Sequence, residues 1–141
     1  MKWSVGVDML DTIVAKRRED ALLAERAVPV AELRRRAAGS VRRALRKALL
    51  AGTGPKLVAE MKRASPSAGV LRELDPGALA RGYEEAGACA LSVLTEPHWF
   101  GGSEGDLRAA RAGGSLPVLR EDFVVEPYKV YEAAGGGADV V

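Results

Sequence analysis

Residues 75–94, Asp-Pro-Gly-Ala-Leu-Ala-Arg-Gly-Tyr-Glu-Glu-Ala-Gly-Ala-Cys-Ala-Leu-Ser-Val-Leu, decide the fold class. Asp75 followed by Pro76 is a helix start. The aspartate accepts an orphan N–H, and a proline in the first helical position gives up no hydrogen bond. Leu79, Tyr83 and Ala86 continue the helix, and Gly87 stands where a helix closes on glycine. Ala90-Leu91-Ser92-Val93-Leu94 is then a short apolar run of strand length.

The same grammar repeats on both sides of this stretch. Downstream, Ser103 caps a helix through Leu107 and Ala110 that Gly113-Gly114 stops, before a run at Leu116-Pro117-Val118-Leu119. Pro127 opens another through Tyr128, Val130 and Tyr131, closed by Gly135-Gly136-Gly137, and Ala138-Asp139-Val140-Val141 begins a further run. Upstream, Leu57-Val58-Ala59 is the first run. Strands alternating with helices at intervals of roughly 30 residues or fewer predict an α/β fold with a parallel sheet.

The first 55 residues are built differently. Met9, Leu10, Ile13, Val14, Leu22 and Leu23 recur at helical spacing from Asp8 to about Arg26, predicting an amphipathic helix with these residues as its apolar stripe. Val30 to Ala37 predicts a second helix after Pro29. Ser40 is the expected cap of a third, lined by Val41, Ala44, Leu45, Ala48 and Leu49 and ended by Gly52, Gly54 and Pro55.

With 141 residues, 48% hydrophobic and 28% charged, the chain is long enough for one ordinary core and too apolar to be disordered. Residues 1–50 carry 12 Lys/Arg and 6 Asp/Glu, residues 51–141 carry 9 and 13, and the whole has a net charge of +2. That balance disfavours a nucleic-acid or membrane-surface partner, and Arg34-Arg35-Arg36 and Arg42-Arg43 read as solvated helix faces. One cysteine and one histidine exclude a disulfide scaffold and a structural zinc site. Met1 to Leu10 shows no leader peptide, and no stretch approaches 18 apolar residues, so a cytoplasmic protein is expected. There is no Gly-x-Gly-x-x-Gly, Walker loop or Ser-His-Asp arrangement, and neither cofactor nor metal is expected.

In parallel α/β proteins ligands bind beyond the C-terminal ends of the strands. At the first such end, Glu60 and Lys62 are two apart and share a side with Val58, opposite Leu57, Ala59 and Met61. They are either a functional pair or an ordinary ion pair. Ser65-Pro66-Ser67-Ala68-Gly69 follows as a loop with two hydroxyls. At the second end, Thr95-Glu96-Pro97-His98-Trp99-Phe100-Gly101-Gly102-Ser103 carries aromatics that form a pocket wall or a lid on the local core, with His98 an exposed loop residue. At the third, Glu121 and Phe123 project on one side and Arg120 and Asp122 on the other. Cys89, between two alanines, reads as a small core residue.

Three segments together resemble the indole-3-glycerol-phosphate synthase family. They are Val58-Ala59-Glu60-Met61-Lys62-Arg63-Ala64-Ser65-Pro66-Ser67, Leu91-Ser92-Val93-Leu94-Thr95-Glu96 with Phe100-Gly101-Gly102-Ser103, and Leu116-Pro117-Val118-Leu119-Arg120-Glu121-Asp122-Phe123. The similarity extends through Tyr131-Glu132-Ala133 and Gly137-Ala138-Asp139 and back to Leu10-Asp11-Thr12-Ile13 and Lys16. It implies a TIM (β/α)8 barrel with an N-terminal helical extension. This chain would carry the extension over residues 1–55 and, over 56–141, the first three β/α units and the start of the fourth strand. The activity implied is that of a carboxy-lyase of tryptophan biosynthesis, which closes carboxyphenylamino-deoxyribulose phosphate to indole glycerol phosphate without cofactor.

By the same resemblance Glu60 and Lys62 are catalytic, Lys62 stabilising charge near the anthranilate carboxylate. Ser65 and Pro66 line the carboxylate and ring pocket, and Phe100 and Phe123 pack around the phenyl ring. Two departures stand out. The family's general-acid lysine before Asp-Phe is here Glu121, and an ionised carboxylate has no proton to donate. A complete barrel also needs about 200 residues or more, so this chain is expected to self-associate or to need a partner that completes the barrel. The alternative is a non-catalytic family member that binds an anionic aromatic ligand or a partner half-barrel.

Overall fold

The computed structural model describes residues 6–141, with side chains from Met9 onward. The sequence reading of Met1 to Val5 lies outside the described residues. Three N-terminal helices, α1 (Gly6–Ala27), α2 (Val30–Ala38) and α3 (Leu45–Leu50), precede β1 (Val58–Met61), a short hairpin of β2 (Ala64–Ser65) and β3 (Gly69–Val70), α4 (Pro76–Glu85), β4 (Ala90–Leu94), α5 (Glu104–Gly113), β5 (Val118–Glu121) and α6 (Pro127–Gly136). Strands β1, β4 and β5 form one parallel sheet in that order, with Glu60 beside Ser92 and Leu94 beside Glu121. The fourth run appears as an isolated parallel bridge between Val140 and Leu119.

The caps follow the sequence. Asp75 accepts from the Ala78 N–H at 3.0 Å and Ser103 from the Asp106 N–H at 3.0 Å. Pro127 occupies the first turn of α6, and Gly137 closes that helix in the left-handed region at φ 97°. Period two sorts the edge strands. Ala59 and Met61 of β1 and Val118 and Arg120 of β5 turn toward the helices, whereas β4, in the middle, is buried throughout. The main core lies between sheet and helices, where Leu91, Val93, Leu107 and Val118 are at most 1% exposed. Burying each such side chain stabilises the fold by roughly 1.5–3 kcal/mol. Helices α4 and α5 meet backbone to backbone, because a Cβ on Gly113 would overlap the carbonyl of Gly77.

The N-terminal helices depart from the sequence reading. The buried face of α1 is Ile13, Arg17 and Ala21, four residues apart, while Leu10, Leu22 and Leu23 are more than half exposed. Arg17, an unpromising core residue on composition, is drawn in by an ion pair with Asp122, 105 positions away. Ser40 caps nothing: α3 begins at Leu45 after Ala44, without a side-chain cap. Instead the preceding strap is pinned by Arg43. Its main-chain N–H donates to Asp139 at 2.7 Å, and its guanidinium to the carbonyls of Leu116 at 2.8 Å and Arg111 at 3.1 Å. Arg43 is therefore a structural fastener rather than part of a solvated face, while Arg42 stays exposed and reaches only the Ala138 carbonyl at 3.4 Å. Arg34 lies 4.7 Å over the Tyr131 ring and donates to its hydroxyl at 2.8 Å, and Arg35 and Arg36 pair with Glu32. Residues 65–69, read as an open loop, are the turn of the β2–β3 hairpin and its flanks. Cys89 is half-buried rather than a core residue.

Candidate functional site

The C-terminal ends of β1, β4 and β5 gather the charged and aromatic residues of the three strand-end loops. Glu60 projects from β1 on the side away from the helices, and the Lys62 ammonium lies 2.5 Å from its Oε1. The hydrogen bond to Glu60, with further attraction from the Glu60 and Glu121 charges, outweighs desolvation and holds Lys62 above the usual lysine range. Lys62 is therefore held as a positive charge near neutral pH. Glu121, one strand further on, accepts from the Ser92 hydroxyl at 2.7 Å through Oε2. The mouth thus places two carboxylates around one ammonium.

Phe100 and Phe123 come together with ring centroids 6.0 Å apart at an interplanar angle of 43°. The two rings arrive from different loops, and the first of these is tied to the hairpin. The Ala64 N–H donates to the Phe100 carbonyl at 3.1 Å, and Arg63 holds Asp106 on α5 through two hydrogen bonds of 2.9 and 2.8 Å. Ser65 keeps its hydrogen bonding within the hairpin, accepting from the Ala68 N–H at 3.2 Å with the Ser67 hydroxyl at 3.5 Å. Pro66 is exposed in the turn. The structure therefore joins Glu60 with Lys62, Glu121 with Ser92, and Phe100 with Phe123, and leaves Ser65 and Pro66 on the neighbouring hairpin. Trp99 packs edge-on to His98 at 5.6 Å, away from the Phe100–Phe123 pair.

Four residues carry this geometry in roles that the sequence reading did not assign. Glu96, fully buried, folds the Phe100 loop by accepting from three successive main-chain N–H groups. Arg120, Asp122 and Arg17 form a buried ion cluster behind the sheet. Asp122 accepts from Arg17 Nε at 3.0 Å and Nη2 at 2.5 Å, from Arg120 Nη2 at 2.8 Å and from the Thr95 hydroxyl at 3.2 Å. Arg120 also reaches Glu132 at 2.7 Å, and Glu132 receives Lys129 at 2.8 Å. The alternation of β5 was the available signal, since it turns Arg120 and Asp122 inward. A cavity of about 370 Å³ borders this cluster, and one of about 570 Å³ lies between the N-terminal helices and α5 and α6. The first is bordered by Thr95, Pro97, His98, Gly102 and Ser103 of the loop after β4, and the second is lined mostly by helix residues. Among the described residues no group of three or more His, Cys, Asp or Glu is placed to hold a metal, and no helix is long and apolar enough to cross a membrane.

A parallel sheet flanked by helices, with polar and aromatic side chains at its C-terminal strand ends, defines the class: an α/β chain of the kind whose ligands bind at the strand mouths. The particular family follows from comparison. The family model described as indole-3-glycerol phosphate synthase matches residues 10–141, and the chain belongs to that family. It is 45% identical over 134 residues to the indole-3-glycerol phosphate synthase of Mycolicibacterium vanbaalenii, covering 94% of this chain and 49% of the relative. It is 46% identical to those of Burkholderia multivorans and Carboxydothermus hydrogenoformans, covering 95% and 94% of this chain and 53% of each relative. The chain spans about half the length of these curated relatives.

Proposed function

We propose that this chain supplies the N-terminal part of an indole-3-glycerol phosphate synthase barrel. Residues 1–55 would be the helical extension and 56–141 the first three β/α units with the start of the fourth strand. The completed site would close a phosphorylated carboxyphenylamino sugar to indole glycerol phosphate in tryptophan biosynthesis. The observation that carries this reading is the Lys62 ammonium, 2.5 Å from Glu60 at the end of β1, in the same mouth as the Phe100–Phe123 pair. An ammonium held beside a ring wall suits an anthranilate carboxylate, and the same charge stabilises electron density that develops as carbon dioxide leaves. Ser65 and Pro66 would border the carboxylate from the hairpin. A reduced, non-cyclising substrate analogue titrated into the chain is expected to bind with an affinity that falls as salt rises. Lys62→Met is expected to weaken it about tenfold, the equivalent of one charge-assisted hydrogen bond. Equal affinity for the variant would remove Lys62 from the site.

A second reading, a non-catalytic family member that only binds such a ligand, is favoured by Glu121. Its Oε2 accepts a hydrogen bond where the resemblance implies a lysine proton donor. Turnover in a completed barrel separates the two readings.

The inner side of the sheet leaves Val58 41% exposed, Leu57 just before β1 is 57% exposed, and β1 has an unpaired edge. Open edges and apolar faces drive strand pairing. The chain alone is therefore expected to sediment as a species heavier than its 14.9 kDa mass, pairing with a second copy or with a chain that completes the barrel. A folded monomer at micromolar concentration would contradict this.

A further inference from the structure

The loop carrying Phe100 is organised around a single carboxylate. Glu96 is 0% exposed, and its hydrogen-bond partners are main-chain groups. Oε1 accepts from the His98 N–H at 2.9 Å, and Oε2 from the Trp99 N–H at 2.7 Å and the Phe100 N–H at 3.0 Å. The Glu96 carbonyl accepts from the Gly102 N–H at 2.8 Å, closing the loop at its far end. Burying an ionised carboxylate is costly unless donors replace its water, and here amide dipoles do so in place of a cation. A carboxylate suits the task because it is acceptor-only, with about four lone-pair sites on two oxygens. A neutral amide would turn its own N–H groups toward the loop's N–H groups.

Phe100 is thereby pinned from both sides: its N–H by Glu96 and its carbonyl by the Ala64 N–H. The glycines after it complete the geometry. Gly101 takes φ 64°, and a Cβ on Gly102 would overlap the carbonyl of Leu94, so the chain folds back tightly on the end of β4. We propose that Glu96 is a positioning residue: it sets the Phe100 ring against Phe123 and so fixes the width and angle of the wall that receives the aromatic ring of the ligand. This rests on the reading of Phe100 and Phe123 as that wall. Glu96 touches no ligand itself and acts through the backbone of residues 98–100.

The chain contains two phenylalanines, which allows a direct test. Labelling the whole chain with 4-fluorophenylalanine gives two fluorine resonances, assigned with Phe123→Leu. In Glu96→Gln, with the far-UV circular dichroism of the parent, the Phe100 resonance is expected to move toward its unfolded position, while Phe123, carried on the β5 side, moves less. Affinity for the reduced aromatic analogue is expected to fall about tenfold. A general packing role would lower stability without singling out one of the two rings. A Phe100 resonance unmoved in a folded Glu96→Gln chain overturns the proposal.

If the variant does not fold, amide hydrogen exchange of the parent decides. Protection at His98, Trp99 and Phe100 supports the carboxylate template, and exchange at loop rates overturns it. Failure of the site reading looks different: the parent shows no ligand-induced fluorine shift, while the ligand-free spectra still report the Phe100 geometry.

Discussion

Glu121→Lys, placed in a barrel completed by the C-terminal half of a curated relative, is expected to raise ring-closure turnover about 10²- to 10⁴-fold over the parent, the usual contribution of a positioned general acid. The parent residue is committed to another role. Its Oε2 accepts from Ser92 at 2.7 Å, and its charge helps hold Lys62 above the usual lysine range. Lys62 is held in its ammonium form by Glu60 and Glu121, which makes it a weaker acid than an ordinary lysine. Lysine at 121 would bring a second ammonium to the mouth, facing Glu60, with Ser92 as an acceptor. The measurement is steady-state product formation by the parent, Glu121→Lys and Glu121→Gln, each in the same completed barrel. Glutamine removes the negative charge without supplying an acid and is expected to stay near the parent rate. Equal rates for lysine and parent would show that residue 121 is not the missing proton donor.

Asp122→Ala is expected to cost about 3–5 kcal/mol, the penalty for stripping one partner from a buried ion pair. That is a large fraction of the about 5–15 kcal/mol that holds an ordinary domain together. The Asp122 side chain is 0% exposed, and its partners Arg17 and Arg120 are 3% and 1% exposed, so the variant takes one carboxylate from two buried guanidinium groups, leaving Arg17 with Asp20 and Arg120 with Glu104 and Glu132. It would also free α1, whose buried face is centred on Arg17.

The same carboxylates set the acid limb of stability. Burial alone would raise Asp122, but the hydrogen bonds and charge of Arg17, with Arg120, bring it below the usual aspartate range. A group depressed in the folded state stabilises fully above its unfolded pKa, and that contribution is lost as pH falls through the folded value. Glu132 behaves alike, burial being outweighed by Lys129 and Arg120. Glu104 has the opposite sign. Desolvation, with repulsion from Glu132, raises it even though its Oε1 lies 2.7 Å from Arg120 Nη2, so it favours the fold when protonated and loses that contribution as pH rises. Urea midpoints measured from pH 2 to 7 should therefore fall on acidification in the parent and change less in Asp122→Asn. Identical curves would exclude Asp122 as a main source of the acid sensitivity.

Much of this architecture was legible because its signals are local. An N-cap acts within three residues, a C-terminal glycine within four, and strand alternation between neighbours, so Asp75, Ser103, Pro127 and Gly137 marked their helices without reference to the rest of the chain. The same period-two rule put Glu60 and Lys62 on one side, and the structure places them in contact. Where a residue's role depends on a distant partner, pattern misled. Spacing put Leu10, Leu22 and Leu23 with Ile13 on the inner stripe of α1; Ile13 is buried, but the helix docks beside it through Arg17 and Ala21, because Asp122 lies opposite Arg17. Ser40 looked like a cap because serine often is one, but Arg43 holds the strap against Leu116 and α3 begins only at Leu45.

The sequence alone determined the alternation of helices with the strands of the parallel sheet and the family resemblance, which rest on short-range preferences and on motifs contiguous in the chain, but not the β2–β3 hairpin or the start of α3. Tertiary structure alone decided which face of α1 is buried, that Arg120 and Asp122 form an ion cluster with Arg17, and that Glu96 folds the Phe100 loop. Those outcomes depend on desolvation, and whether a buried charge stabilises or destabilises is set by partners that only the folded chain brings within 3 Å.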